Sequence, residues 1–302
     1  MISVVIPTHN RADLLPRAID SVLNQDIKED VEIIVVSDGS TDDTADVVKK
    51  YDPEIVRFWE YFPGVNGNHA RNVGAQNARG EYVAYLDDDD AWMRDKLRKQ
   101  LDTMRAENCG LSYTGVNIIY EYEKVSYHSI PKQKGDLSTA ILLDNCIGST
   151  STVVVKKDLL LQCGGFDEEL GALQDYDLWI RVCQRTNVSV ISEPLVNYYN
   201  YTNKNQVSSS TEKYVNAFRI IEGKYQALFE SLNASTEKER LVNKYALLAN
   251  KCLRNGNKKE AFPYIKGMWK EGLWKTALKF WAVSHLPYKY VLGLRSKTQR
   301  NR

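Results

Sequence analysis

The stretch Gly80-Glu-Tyr-Val-Ala-Tyr-Leu-Asp-Asp-Asp-Asp90 decides the fold of this 302-residue chain. Its apolar part, residues 82–86, is a short uninterrupted run that is typical of a buried strand. The four aspartates that follow repel one another strongly unless protonation or a divalent cation relieves the repulsion. Carboxylate oxygens favour Mg²⁺ or Mn²⁺, but a solvated acidic loop or a helix N-terminus explains these aspartates equally well at this point.

Three similar apolar runs precede this stretch, at residues 2–6, 31–36 and 55–59. Segments with apolar residues at helical spacing separate them. Strands that alternate with helices in this way predict an α/β fold, with a mostly parallel sheet flanked by helices. Because ligands bind at the carboxyl ends of the strands in such sheets, we expect residues 38–42 and 87–90 on the same edge.

The pattern changes twice further along the chain. Residues 111–205 mix strand-like runs with a helix, and the chain after residue 205 reads as helices only, with breaks near Asn233, Gly256 and Gly272. We therefore predict divisions at 1–110, 111–205 and 206–302, the last being a C-terminal α-helical segment.

Composition excludes several classes of protein. Hydrophobic residues make up 43% and charged residues 26% of the chain, which is typical of a globular protein. No apolar run reaches the roughly 20 residues of a membrane-spanning helix. The five cysteines are scattered and never form a CxxC pair, which argues against a disulfide framework and a zinc site. The N-terminus lacks the pattern of a signal peptide, so we expect a cytoplasmic protein.

The C-terminal segment is basic and aromatic. Residues 257–302 contain eleven Lys or Arg and two acidic residues, so they carry +9 and the rest of the chain carries −8. Within residues 263–302, aromatic side chains alternate with lysines, as in a helix that lies on an anionic membrane surface. A helix that packs its aromatics on the body of the protein explains the pattern almost equally well. No nucleic-acid motif accompanies the charge, so we expect no nucleic-acid partner.

A second group of polar residues lies at Gln174-Asp-Tyr-Asp-Leu-Trp179. Asp175 opens a predicted amphipathic helix, where free backbone N–H groups and the helix dipole stabilise its charge. On its own this is an ordinary helix N-terminus.

Six motifs together resemble the family 2 glycosyltransferases, inverting enzymes of the GT-A (Rossmann-like) fold that use nucleotide-sugars. They occur in the family's order: Ile2-Ser-Val-Val-Ile-Pro-Thr-His-Asn-Arg11, Val36-Ser-Asp-Gly-Ser-Thr-Asp42, Ala70-Arg-Asn-Val-Gly74, the stretch from Gly80 to Asp90 with Trp92, Gly164-Gly-Phe-Asp167, and Gln174 to Trp179. The resemblance covers residues 1–205. It implies a nucleotide-sugar-binding half at 1–110 and an acceptor-binding half at 111–205.

The resemblance also implies roles for individual residues. Asp175 matches the catalytic base, and Asp89 matches the residue that binds a divalent metal, Mn²⁺ or Mg²⁺. The residues that it places around the nucleotide-sugar are Pro7, Thr8, Asn10, Arg11, Asp38, Arg71, Asp87 and Asp88. Asp38 matches an aspartate that accepts hydrogen bonds from uracil, so a UDP-sugar is the expected donor.

The implied activity is transfer of a hexosyl or N-acetylhexosaminyl group to a saccharide or lipid-linked acceptor in cell-surface polysaccharide or glycoconjugate synthesis. Relatives often work at the inner face of the cell membrane, which favours the membrane interpretation of residues 263–302. Gln174 departs from the family, where Glu usually precedes the base, and we expect the pKa of Asp175 to be lower as a result. Two alternatives stay open: a nucleotide-sugar-binding protein whose catalysis has decayed, and a nucleotidyltransferase.

Overall fold

The computed structural model describes residues 1–200, 210–286 and 290–293. Within them the chain forms nine strands: β1 (Ile2–Thr8), β2 (Val31–Asp38), β3 (Val56–Tyr61), β4 (Tyr82–Tyr85), β5 (Ala91–Trp92), β6 (Leu111–Tyr120), β7 (Val125–Ser129), β8 (Val154–Lys156) and β9 (Val188–Asn200). The helices are α1 (Leu15–Leu23), α2 (Thr44–Val48), α3 (Gly67–Asn77), α4 (Lys96–Glu107), α5 (Ala140–Leu143), α6 (Lys157–Gln162), α7 (Gln174–Cys183), α8 (Thr211–Lys224), α9 (Gln226–Glu230), α10 (Ala234–Arg254), α11 (Lys258–Lys270) and α12 (Trp274–Ser284).

All nine strands belong to one sheet, in the order β3-β2-β1-β4-β8-β6-β9-β5, with β7 beside β6. The first four strands pair in parallel, as do β6 and β9, whereas β8 is antiparallel to both of its neighbours. The predicted α/β fold with flanking helices and a helical C-terminal region is confirmed. The strands of the N-terminal part, β1 to β4, pair only in parallel with one another. The rest of the sheet is mixed, because it contains both parallel and antiparallel pairs.

Strand β1 runs two residues beyond the predicted apolar run and includes Pro7 and Thr8. A proline inside a strand lacks one ladder hydrogen bond. Here β4 pairs only with Ile2 to Val5, so Pro7 lies where β1 has a single neighbour, β2. The sheet can therefore continue through the proline.

Two hydrophobic cores cover the faces of the sheet. One contains α1, α4 and their side of the strands, with Ile19, Leu97 and Leu101 fully buried or nearly so. The other lies under α3 and α7 and also takes in Phe218 and Leu248 from α8 and α10. The first helices of the C-terminal region thus share a core with the α/β part of the molecule.

Helices α11 and α12 pack on each other and on the end of α10, around a small core of their own that includes Cys252, Ile265 and Ala277. In the part of the chain that the structure describes, no helix is both long and apolar enough to cross a membrane. The end of the 263–302 segment lies outside the described residues.

Candidate active site

The turns that follow β1 and β2 are joined at the carboxyl edge of the sheet. Asn10 adopts a left-handed backbone conformation, with φ of 52°. Its backbone N–H donates to Ser40 Oγ over 3.1 Å, and its side-chain oxygen accepts from the backbone N–H of Thr41 over 2.7 Å. Two turns that are 30 residues apart in the chain therefore form one rigid rim.

Asp38 ends β2 on this rim and is buried. The backbone N–H of Val65 donates to its carboxylate over 2.6 Å. The backbone around Gly64 approaches Asp38 closely. A Cβ on Gly64 would lie only 2.6 Å from the Asp38 carbonyl oxygen, so a residue with a side chain would not fit at this position. Pro7 and Thr8 lie beside Asp38's strand, buried in β1.

The four aspartates follow β4 on the same edge, and two arginines neutralise three of them. Arg71, on α3, places its Nη2 2.5 Å from Asp87 Oδ1. Arg11, in the turn after β1, places Nη1 2.8 Å from Asp88 Oδ1 and 2.9 Å from Asp89 Oδ2. The structure thus brings together five residues that the sequence assigned to one site.

Charge remains crowded in this cluster. Burial raises the pKa of Asp88, although the charge of Arg11 opposes the rise. Burial, together with the charges of Asp87 and Asp88, raises the pKa of Asp89 to about 6. Burial and the charges of Asp89 and Asp87 raise the pKa of Asp90, which is completely inaccessible, well above its ordinary value. Additional positive charge would be stabilised here.

Sequence reasoning missed the polar residues that support the cluster from a 3₁₀ turn before β8. Ser151 Oγ accepts from the backbone N–H of Asp87 over 3.1 Å and donates to Asp90 Oδ2 over 2.7 Å. Thr150 Oγ1 donates to Asp87 over 3.3 Å. The run Gly148-Ser-Thr-Ser-Thr152 was the available signal, since hydroxyl side chains next to a strand can satisfy buried carboxylates.

Asp175 lies in the first turn of α7, as predicted. Asn145 Nδ2 donates to its Oδ2 over 3.2 Å, and the backbone N–H of Tyr176 donates to Oδ1 over 2.8 Å. Burial raises the pKa of Asp175, and the charges of Arg71 and Asp87 also act on it. The expected base and the aspartate cluster therefore share one site. Asn145 was not predicted, because a lone Asn in an irregular segment carries no pattern.

The second aspartate of α7 has a structural role. The Asp177 carboxylate is fully buried and lies 2.6 Å from both Arg181 Nη2 and Lys224 Nζ. The Tyr225 hydroxyl donates to it over 2.8 Å. These contacts fix α7 against α8 and so hold Asp175 in place.

A divalent cation fits the chemistry of the aspartate cluster. The donor atoms are carboxylate oxygens, which Mg²⁺ and Mn²⁺ prefer, and the carboxylates crowd one another. Among the described residues, no three acidic, His or Cys side chains are arranged around a common cation position. Mg²⁺ often binds to only one or two protein carboxylates and takes its remaining ligands from phosphate and water. The cluster suits that kind of site.

Comparison with known proteins identifies the family. Residues 3–158, which include the rim turns and the aspartate cluster, match the family model described as glycosyl transferase family 2. The chain belongs to this family. An uncharacterized glycosyltransferase of Haemophilus influenzae is 31% identical over 245 residues, which are 78% of this chain and 82% of that protein. This family member is thus a glycosyltransferase, and the predicted family is confirmed.

Relatives with more specific names take part in polysaccharide synthesis. The amylovoran biosynthesis glycosyltransferase AmsB of Erwinia amylovora is 34% identical over 212 residues, 66% of this chain and 70% of that protein. The putative teichuronic acid biosynthesis glycosyltransferase TuaG of Bacillus subtilis is 37% identical over 121 residues, 39% of this chain and 48% of that protein.

Solved structures share the fold of this family 2 enzyme. Staphylococcus aureus TarS 1–349, in complex with UDP-GlcNAc, superimposes with a TM-score of 0.63 at 19% identity, over 99% of this chain and 92% of that one. The Pyrobaculum calidifontis mannosyltransferase PcManGT, in complex with GDP-Man and Mn²⁺, gives a TM-score of 0.61 at 17% identity, over 98% and 86% of the two chains.

Proposed function

We propose that this glycosyltransferase moves a hexosyl or N-acetylhexosaminyl group from a UDP-sugar to a hydroxyl group of a saccharide or lipid-linked acceptor, with inversion at the anomeric carbon. The product belongs to a cell-surface polysaccharide or glycoconjugate, as the names of two relatives indicate. One observation carries the proposal: the charges of Arg71 and Asp87 act on Asp175, so the proposed base and the aspartate cluster would share one site.

The rim turns would hold the nucleotide. Asp38 is fixed by the Val65 N–H and would accept hydrogen bonds from the base of the nucleotide. Pro7, Thr8 and Asn10 lie on the same edge of the sheet and would contact the nucleotide beside Asp38. Arg71 and Asp87 would lie near the ribose and the first phosphate, while Arg11 and Asp88 support the cluster beside them. A nucleotide bound to TarS and to PcManGT, which share the fold, supports this placement.

Asp175 would act as the general base. Its carboxylate takes the proton of the acceptor hydroxyl while the acceptor oxygen forms a bond to the anomeric carbon. The bond between that carbon and the diphosphate oxygen breaks, and the nucleoside diphosphate leaves with the electron pair. Attack from the face opposite the leaving group inverts the anomeric configuration. Asn145 keeps the Asp175 carboxylate oriented during this step.

Asp89, with support from Asp87, would hold Mn²⁺ or Mg²⁺ in this site. Such an ion supplies positive charge to the oxygens of the diphosphate as negative charge develops there. Arg11 contacts Asp89 directly and limits the repulsion within the cluster. The Mn²⁺ in the PcManGT complex supports this assignment.

The α11–α12 pair would contact an anionic membrane surface from one side. Phe262, Trp269, Leu278 and Trp281 are about half exposed and, with Ile265, line an apolar groove of about 330 Å³. The lysines around this surface are also exposed: Lys266, Lys270, Lys275 and Lys279. Exposed indole rings beside lysines favour a lipid interface over packing on the body, and they would bring the enzyme to a lipid-linked acceptor.

A nucleotide-release assay tests the proposed reaction. The full chain is incubated with a panel of UDP-, GDP- and dTDP-sugars, with Mn²⁺, Mg²⁺ or EDTA. Release of UDP from one UDP-sugar, even by slow hydrolysis, is the expected result. Release of pyrophosphate would instead indicate a nucleotidyltransferase. Calorimetry completes the test, since a chain that binds none of the nucleotides would contradict the proposed donor.

A further inference from the structure

Two cations at the end of α10, Lys251 and Arg254, have no acidic partner among the described residues, unlike two cations earlier on the same helix. Arg240 and Lys244, earlier on α10, both pair with Glu222, at 2.8 and 2.7 Å. The partners of Lys251 and Arg254 among the described residues are neutral. Lys251 Nζ donates to the Tyr214 hydroxyl over 2.8 Å, and Arg254 Nη2 donates to Asn200 Oδ1 over 2.7 Å.

Both cations lie beside the active site. Asn200, the partner of Arg254, ends β9, and the backbone N–H of the preceding residue, Tyr199, donates to Asp90 Oδ1 over 3.3 Å. Arg254 is therefore connected to the aspartate cluster through the end of one strand. Lys251 lies one helical turn away on the same face of α10.

Electrostatics connect Lys251 to the base. Burial and the charge of Asp175 raise the pKa of Tyr214, the partner of Lys251, to about 12. Burial and the charge of Arg254 lower the pKa of Lys251 to about 8, and Asp175 opposes this shift. Two like charges that are held close together, without a carboxylate between them, leave this position ready to accept an anion.

We infer that Lys251 and Arg254 bind the diphosphate of the nucleotide-sugar. The inference rests on the proposed function, in which a diphosphate anion has to enter a site with four aspartates. Arg11 and Arg71 are already engaged with three of those aspartates. Lys251 and Arg254 have no such pairs among the described residues, so they can stabilise the charge that the departing diphosphate gains.

This assignment makes the C-terminal region part of the active site. The family model ends at residue 158, and α10 lies well beyond it. Residues 251 and 254 carry no recognisable motif, and only the packing of α10 against the α/β part shows their position.

Calorimetric titration of the full chain with UDP and with uridine tests the inference. We expect Lys251→Gln and Arg254→Gln each to weaken UDP binding about tenfold or more, and to leave uridine binding unchanged, because uridine has no phosphate. Lys251→Arg, which keeps the charge, should bind UDP nearly as well as the original chain. Lys238→Gln, at an exposed position on the same helix, is the matched control and should bind both ligands normally.

Three results would overturn the inference while leaving nucleotide binding, and so the proposed function, intact. The first is UDP binding by both Gln variants that equals that of the original chain. The second is an equal loss of UDP and uridine binding, which would show a structural role. The third is normal UDP binding with slower sugar transfer, which would place the cations at the acceptor. If the unsubstituted chain binds no nucleotide at all, that result would instead contradict the proposed function itself.

Discussion

Asn145 and Asp175 are joined by a hydrogen bond of 3.2 Å between Nδ2 and Oδ2, across 30 residues of chain. The donor comes from the irregular segment after α5, and the acceptor from the first turn of α7. With the N–H of Tyr176 on its other oxygen, the carboxylate is held at both ends. A base that is fixed in this way can meet an acceptor hydroxyl without reorientation.

Asp175→Asn should abolish sugar transfer and leave nucleotide binding intact. The amide has nearly the same shape as the carboxylate but cannot take a proton, and general bases contribute about 10²–10⁴-fold to a rate. Transfer is measured by nucleotide release, and UDP binding by calorimetry. Asp158→Asn, at an exposed position on α6, should behave like the original chain. An active Asp175→Asn enzyme would remove Asp175 from the role of base.

The rate of transfer should fall on the acid side at a higher pH than for an ordinary aspartate. Burial raises the pKa of Asp175 above 3.8, and the base works only when it is deprotonated. The Asn145 hydrogen bond and Arg71 oppose this rise, while Asp87 adds to it. Asn145→Ala should therefore shift the acid limb of kcat to still higher pH, as should Gln174→Glu. An acid limb that does not move in the Asn145→Ala variant would contradict this role of Asn145.

Removal of divalent metal should stop transfer. EDTA would leave the diphosphate charge and the aspartate cluster without a counter-ion, and added Mn²⁺ or Mg²⁺ should restore the rate. Asp89→Asn should require much more metal for the same rate, with uridine binding unchanged as evidence that the site is folded. Transfer that proceeds equally well in EDTA would show that the enzyme needs no metal.

Asp177→Ala should destabilise the whole fold. It removes a fully buried carboxylate, leaves Arg181 without its acidic partner and leaves Lys224 with only Asp167. Loss of one member of a buried ion pair costs about 3–5 kcal/mol of the free energy of unfolding. Urea denaturation measures the loss. Asp46→Ala, which breaks an exposed pair with Lys49, should leave the midpoint unchanged.

Vesicle sedimentation should detect binding of the full chain to phosphatidylglycerol but only weak binding to phosphatidylcholine. Replacing Trp269 and Trp281 together with Ala should reduce the binding about tenfold, since both indoles are exposed on the α11–α12 surface. Tyr122→Ala removes an aromatic ring that is 80% exposed elsewhere and should have no effect. Equal binding to both lipids would contradict a charge-dependent membrane contact.

The sequence predicted the parallel part of the sheet because its strands are uninterrupted apolar runs. Helix α4 escaped prediction because two of its five buried residues, Lys96 and Gln100, are polar and interrupt the apolar spacing. Strand β9 extends from Val188 to Asn200, well beyond the apolar residues at its start, because its second half pairs with β6 through polar residues such as Asn197.

The site was predicted only where its residues belong to short motifs. Asp87 to Asp89 follow a strand, and Asp175 lies at the start of a helix. The apolar spacing of these two elements therefore predicted where the aspartates lie. Asn145 and Ser151 were missed because Asn145 lies in an irregular segment and Ser151 in a 3₁₀ turn, and both are far away in sequence from the aspartates that they contact. Such contacts depend on the tertiary fold and leave no periodic signal.

The ion pairs of Lys224 limit how this chain can be recombined. Lys224, at the end of α8, contacts both Asp167 and Asp177, at 2.8 and 2.6 Å. In a chimera that takes residues 206–302 from a relative, another residue can replace Lys224. Asp167 and Asp177 would then lose their ion pairs with Lys224 unless the replacement is also a cation. A block that keeps both pairs of Lys224 intact has to begin before Asp167, and one that also keeps the Asn145 hydrogen bond to the base has to begin before Asn145. The helix that carries the base and the C-terminal helices would therefore have to be exchanged together.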